Sequence, residues 1–175
     1  MLFRSEDKLG RIDVLINNAA ISSFSLFSDL TLSDWREAFS VNVDGAFVYT
    51  KAVLPSMIHE KSGRIINISS MWGEVGSSCE VHYSATKAAL IGMTKALAKE
   101  VGPSGITVNC IAPGVIATEM NSSFSAEDIK ALEDETPLMR IGLPSEVASV
   151  ALFLAGDGAS FITGAVLDVN GGFIT

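Results

Sequence analysis

The sequence predicts an α/β fold, a parallel sheet with helices on both faces, and three observations carry that prediction. Hydrophobic residues make up 48% of 175 residues before the 15 glycines are counted. A sheet covered on both faces needs such an excess, because its strands have no polar side. Four short runs rich in Val and Ile are nearly continuous in apolarity rather than alternating. Longer helical segments separate them, and that alternation is the grammar of a parallel sheet with crossover helices.

The first strand is Val14–Asn17. Thr31-Leu32-Ser33-Asp34 then reads as an N-cap followed by an acid in the first turn. It predicts one helix running to about residue 60, with Trp35, Phe39, Phe47 and Leu54 on its inner side and a kink at Pro55. The second strand is predicted over 64–69. The next helix carries Tyr83 and Lys87 and runs to Val101, where Gly102-Pro103 stops it. The third strand is predicted over 107–112. A short helix over 126–133 sits in a polar insertion. A helix over 145–155 follows Pro144 and ends at Gly156, and the last strand covers 165–169. With no internal repeat, low-complexity tract or linker, the expectation is a single domain over 1–175.

Bulk properties exclude several function classes. Net charge is −8 with a pI near 4.7, and no Lys/Arg cluster exceeds a pair, so nucleic acid is not an expected partner. Cys79 and Cys110 make no disulfide framework, and His59 and His82 have no metal-ligand spacing with them, so no metal site is expected. No apolar run approaches the ~18–20 residues of a membrane span, and the first residues lack a signal-peptide core. A cytoplasmic location without membrane association is the expectation.

The chemistry concentrates in one constellation. Tyr83 and Lys87 lie four apart on a helix and so share a face. An ammonium beside a phenol favours the phenolate, so the pair predicts a tyrosine acidified from its usual pKa of ~10. Ser70 precedes Tyr83 at the end of a strand, where α/β proteins place ligand contacts. Ser69 faces the other way on an extended chain and reads as a turn residue. Asn42 sits mid-helix, where asparagine is a mediocre former. Asn109-Cys110-Ile111-Ala112-Pro113-Gly114 runs through the end of the third strand and out of it, and Gly114 lets backbone approach a ligand closely.

These residues resemble the short-chain dehydrogenase/reductase family. Asn17-Asn18-Ala19-Ala20 is similar to its Asn-Asn-Ala-Gly motif, with Ala20 in place of the glycine. Asn42 resembles its catalytic asparagine, and Ser70, Tyr83 and Lys87 match the rest of its tetrad. Pro113-Gly114 resembles its nicotinamide-side loop, and the run from Gly164 to Gly172 its C-terminal signature.

The resemblance implies a Rossmann-like fold and an NAD(P)H-dependent oxidoreductase that reduces a ketone to a secondary alcohol. Tyr83 would be the acid and Lys87 would tune it and bond cofactor ribose. Ser70 would orient the carbonyl and Asn42 would hold a relay water. Asn17, Ala19, Tyr83, Lys87, Pro113, Gly114, Ile116 and Thr118 become cofactor contacts, with NADPH favoured over NADH. It also implies a homodimer or homotetramer through the Asn42 and Tyr83 helices.

The chain departs from the family at its front. No glycine-rich turn precedes Asn17, and such a turn holds the cofactor pyrophosphate in Rossmann proteins. The chain therefore resembles the C-terminal two-thirds of a family member. It lacks the first βαβαβ part, on the order of 60–75 residues, so that about four strands remain. An internal start, a shortened non-catalytic fragment or interaction subunit, and a separately encoded N-terminal half are the readings of that departure.

For substrate, much of the chain resembles 3-oxoacyl-(acyl-carrier-protein) reductases, with Arg140 a candidate for docking the carrier. The stretch holding Trp72 and Glu80 resembles a subgroup related to elongation factor P 5-aminopentanone reductase. There Trp72 would line the substrate path and Glu80 would attract a cationic amine. The variable segment opened by Thr118 resembles the family's substrate lid.

Overall fold

The structure, a computed structural model, describes residues 10–121 and 124–174. Four strands, β1 (Val14–Asn17), β2 (Gly63–Ile68), β3 (Ile106–Pro113) and β4 (Val166–Val169), form one sheet in that spatial order. Every neighbouring pair is parallel, with Val14 opposite Arg64, Gly63 opposite Ile106 and Cys110 opposite Val166. The four predicted strands are all present, with ends shifted by a residue or so.

The predicted long helix after Thr31 is three pieces. Helix α1 (Leu32–Phe39) gives way to a π-helical turn over Ser40–Asp44, and α2 (Gly45–Glu60) follows. Thr31 does cap it: its Oγ1 accepts from the Asp34 N–H at 3.2 Å, and Asp34 Oδ2 accepts from the Thr31 N–H at 3.0 Å. Pro55 lies inside α2, which continues to Glu60. Of the residues placed on the inner side, Trp35, Phe39 and Leu54 are half-buried. Phe47 is not; it is 53% exposed, because the π turn adds a residue and rotates the α2 face away from the register of α1.

The short helix α3 (Trp72–Val75) was not predicted. It leads into α4 (Val81–Val101), the helix of Tyr83 and Lys87. Helix α5 (Ala126–Glu135) is capped by Ser125 and Asp128, in the manner of Thr31 and Asp34. Helix α6 (Pro144–Ala155) starts with its proline in the first turn.

Both sheet faces are covered. On one side Val53 and Met57 of α2 and Ala98 and Val101 of α4 pack against Ile65, Ile106 and Val108. On the other, Ala151 and Leu154 of α6 pack against Ile66 and Ile111. Consecutive residues Ile65 and Ile66 thus point into different cores, as strand geometry requires, and the excess of apolar residues is accounted for.

Candidate active site at the carboxyl ends of the strands

Because all four strands run the same way, their carboxyl ends share one edge of the sheet, and the predicted residues gather there. Beyond β2 the chain stays tied to β3: the Ser69 N–H donates to the Ile111 carbonyl at 2.8 Å and the Met71 N–H to that of Pro113 at 2.9 Å. Ser69 is more than a turn residue. Its Oγ donates to the Lys87 backbone carbonyl at 2.8 Å, locking α4 onto the strand end. A Cβ at Gly73 would lie 2.7 Å from Ser69 Oγ and 2.8 Å from the Lys87 carbonyl carbon, so only glycine lets α3 come this close.

Ser70, Tyr83 and Lys87 are all buried and come together. Ser70 is near enough to the Tyr83 phenol to pull its pKa down, and its Oγ accepts the Trp72 N–H at 3.1 Å. Lys87 Nζ donates to the Ile68 carbonyl at 2.8 Å and sits 5.4 Å from the centre of the Tyr83 ring. The shared face predicted for the pair is real, but the ammonium lies against the ring.

The direction of the tyrosine's titration is opposite to the expectation. Burial pushes the Tyr83 phenol up to about 12; Ser70 opposes this and the Glu80 charge adds to it. Burial also lowers Lys87 to about 8, with Cys110 pulling the other way. Desolvation of the charged form outweighs the pairing of the two groups.

Asn42 owes its place to the π turn. Its Oδ1 accepts the Ile21 N–H at 2.8 Å, while its Nδ2 donates to the Ile21 carbonyl at 2.9 Å and to Thr86 Oγ1 at 3.0 Å. The segment after β1 is thereby bound to α4. Asn17, Ala19 and Asn42 line one cavity of about 500 Å³ beside β1, together with Asn18, Gly45 and Tyr49. The Asn17 side chain is already engaged: Nδ2 donates to Thr50 Oγ1 at 3.1 Å and to Asn67 Oδ1 at 2.8 Å.

Asn67 in turn donates to Thr94 Oγ1 at 2.8 Å. This polar chain runs along one face of the sheet, across β1 and β2, from α2 to α4, and sequence patterning did not reveal it. Its signal was an asparagine in each of the apolar runs containing Asn17 and Asn67.

The remaining candidates fall in three places. Pro113, Gly114, Ile116 and Thr118 form the run leaving β3. Gly114 is required, but by the protein itself, since a Cβ there would lie 2.8 Å from Asn170 Cα. Trp72 is half-buried and meets Phe173 edge-on at 5.6 Å. Glu80 is buried, with its Oε1 taking a hydrogen bond from Ser22 Oγ at 2.6 Å. Arg140 is not a free docking cation: its guanidinium grips Glu146 through two bonds of 2.8 and 2.6 Å.

Comparison with known proteins agrees with this geometry. The family model described as enoyl-(acyl carrier protein) reductase matches residues 1–174. The chain belongs to the short-chain dehydrogenase/reductase family. It is 48% identical over 161 residues to a 3-oxoacyl-[acyl-carrier-protein] reductase of Aquifex aeolicus, covering 92% of this chain and 65% of the relative. A protein of the same name from Synechocystis is 47% identical over 169 residues, covering 96% of this chain and 67% of the relative. The crystal structure of the Brucella melitensis 3-oxoacyl-[acyl-carrier protein] reductase superposes with a TM-score of 0.94 at 39% identity, over 99% of this chain and 68% of that one. The chain thus spans about two thirds of the length of these relatives, 65% for the Aquifex protein.

Proposed function

We propose that this chain carries the proton-donating half of a ketone reductase acting on a 3-oxoacyl group held as a carrier-protein thioester. The observation that supports it best is the convergence of Ser70, Tyr83 and Lys87 at the strand ends. The phenol donates its proton to the carbonyl oxygen as that oxygen gains charge. The phenol is protonated at neutral pH, and the forming alkoxide is the stronger base that takes its proton. Ser70 donates to the same carbonyl oxygen and orients it. Lys87 holds positive charge beside the tyrosine as it loses its proton, and Asn42 keeps the segment after β1 fixed against α4.

A nicotinamide cofactor would supply the hydride. The residues present fit part of such a group. The buried Lys87 ammonium has three donors and uses one on Ile68, which leaves hydrogens for ribose hydroxyls. Asn17, Ala19, Pro113, Gly114, Ile116 and Thr118 are the further contacts we assign, with NADPH preferred. No glycine-rich turn precedes Asn17 among the described residues, so these residues offer the pyrophosphate no cradle.

The amino-ketone alternative relied on Glu80 meeting a cation. That carboxylate is buried and taken by Ser22, so we adopt the carrier-linked ketone. Self-association is part of the proposal: Phe47 and Val48 of α2 are more than half exposed, and Ala88, Gly92 and Ala96 leave an open strip on α4. We assign these faces to copies of the same chain, in a dimer or tetramer. No helix among the described residues is long and apolar enough to cross a membrane, consistent with the cytoplasmic setting we propose.

The test is oxidation of NADPH by the 175-residue chain with a 3-oxoacyl thioester. Ketone-dependent turnover supports the reading. Its absence, with the fold intact by circular dichroism, favours a non-catalytic interaction subunit.

A further inference from the structure

Two serines outside the tetrad, Ser22 and Ser23, lie between β1 and α1 and reach the start of the tyrosine helix. Ser22 Oγ donates to Glu80 Oε1 at 2.6 Å, and Ser23 Oγ lies 3.0 Å from His82 Nε2. Glu80 is 6% exposed and His82 2%, so each bond reaches a side chain that has left water, from a half-buried Ser22 and an exposed Ser23. The backbone joins in: the Ser25 N–H donates to the Cys79 carbonyl at 2.9 Å, and Asn42 binds both polar groups of Ile21. The run 21–25 is therefore stitched at Ile21, Ser22, Ser23 and Ser25 to Asn42, to Cys79 and Glu80 just before α4, and to His82 in its first turn.

Tyr83 is held from the other side as well. Asn42 donates to Thr86 Oγ1 at 3.0 Å, and that hydroxyl donates to the Tyr83 backbone carbonyl at 2.7 Å. Every tie in this arrangement is a hydrogen bond, and none of them reaches the phenol oxygen. A buried carboxylate is costly unless strong hydrogen bonds compensate it, and the Ser22 bond is short and charge-assisted. Its geometry fits a mechanical role.

We propose that Glu80 is a positioning residue: through Ser22 it clamps the 21–25 segment onto the first turn of α4 and so fixes Tyr83 for proton donation. The consequence for catalysis rests on the ketone-reductase reading; the clamp itself rests on the bonds above.

The experiment pairs amide hydrogen exchange of the 175-residue chain with steady-state ketone reduction, in Glu80→Ala, Ser22→Ala, their double variant and Glu80→Gln. Loss of one charge-assisted bond opens the clamp, so Glu80→Ala and Ser22→Ala each speed exchange of peptides covering 21–25 and 79–83 by roughly tenfold or more. Peptides from β2 and β3 stay at the wild-type rate. Glu80→Gln keeps an acceptor for Ser22 and restores most of the protection. In reduction, kcat falls by about tenfold in both alanine variants while the KM for NADPH holds, the double variant is no worse than Glu80→Ala, and Glu80→Gln rescues.

Unchanged exchange at 21–25 in the alanine variants overturns the clamp. So does acceleration spread equally over β2 and β3, which would make Glu80 a bulk stability residue. Loss of a cationic amino-ketone alone in Glu80→Gln overturns it in favour of direct amine recognition. A wild type that reduces no ketone counts against the reductase reading, while the exchange result still decides the clamp.

Discussion

Burial moves Lys87 and Tyr83 in opposite directions on the pH scale, and the molecule's stability must follow. Lys87 titrates near 8 in the fold against 10.5 ordinarily. Between those values the unfolded chain holds a proton that the folded chain has released, so stability rises with pH across this window. Tyr83 titrates near 12 against 10.0. There the folded chain keeps a proton that the unfolded chain loses, so stability falls from pH 10 to 12. Denaturant unfolding at several pH values should therefore show Lys87→Met ahead of wild type at neutral pH. The gap should close from pH 8 to 10.5 by a few kcal/mol, at ~1.4 kcal/mol per pK unit. Tyr83→Phe should remove the decline above pH 10. Stability curves that stay parallel across these windows would contradict both assignments. That Tyr83 and Lys87 share a face was legible from spacing, because one helical turn sets which side chains meet, and the position of Ser70 from its place at a strand end. The direction of the tyrosine's shift was not, because it depends on how deeply the folded chain buries the phenol.

Elements were legible to the extent that local rules govern them. The caps at Thr31 and Ser125 follow from residues three apart, and the strands follow from Val/Ile runs. The π turn at Ser40–Asp44 was hidden, since the bonds that favour it reach Ile21 and Thr86, far away in sequence. The short α3 was hidden too, because its place depends on Gly73 meeting Ser69 and Lys87. The turn into β3 makes a sharper prediction. Gly105 has φ +73°, and a Cβ there would collide with the Lys61 backbone carbonyl. Lys61 itself ends α2 in the left-handed region at φ 52°, so neither backbone can yield cheaply. Gly105→Ala should cost roughly 1–3 kcal/mol in chemical denaturation. A change within error would mean that this junction is softer than the geometry says.

Across the whole molecule, the two-sided sheet explains composition and also leaves an edge. Among the described residues β1 pairs on one side only, with β2, and Val14 and Ile16 remain 37% and 46% exposed. Open apolar edges promote pairing between chains. Ile16→Lys should raise the concentration at which the chain stays dispersed in light scattering. An unchanged threshold would show that association proceeds through another surface, such as the Phe47 face of α2. The parallel architecture and the covered faces were legible from the apolar runs. Which helix faces remain open was not, because exposure there is decided by helix rotation, as at Phe47.

The proton donor is the centre of the account, and one comparison tests it most directly: 3-oxoacyl-thioester reduction by wild type and Tyr83→Phe, with thermal unfolding run in parallel. The phenylalanine variant should lose reduction by about 100-fold or more at an essentially unchanged melting temperature near neutral pH. Equal rates in the two proteins would contradict it.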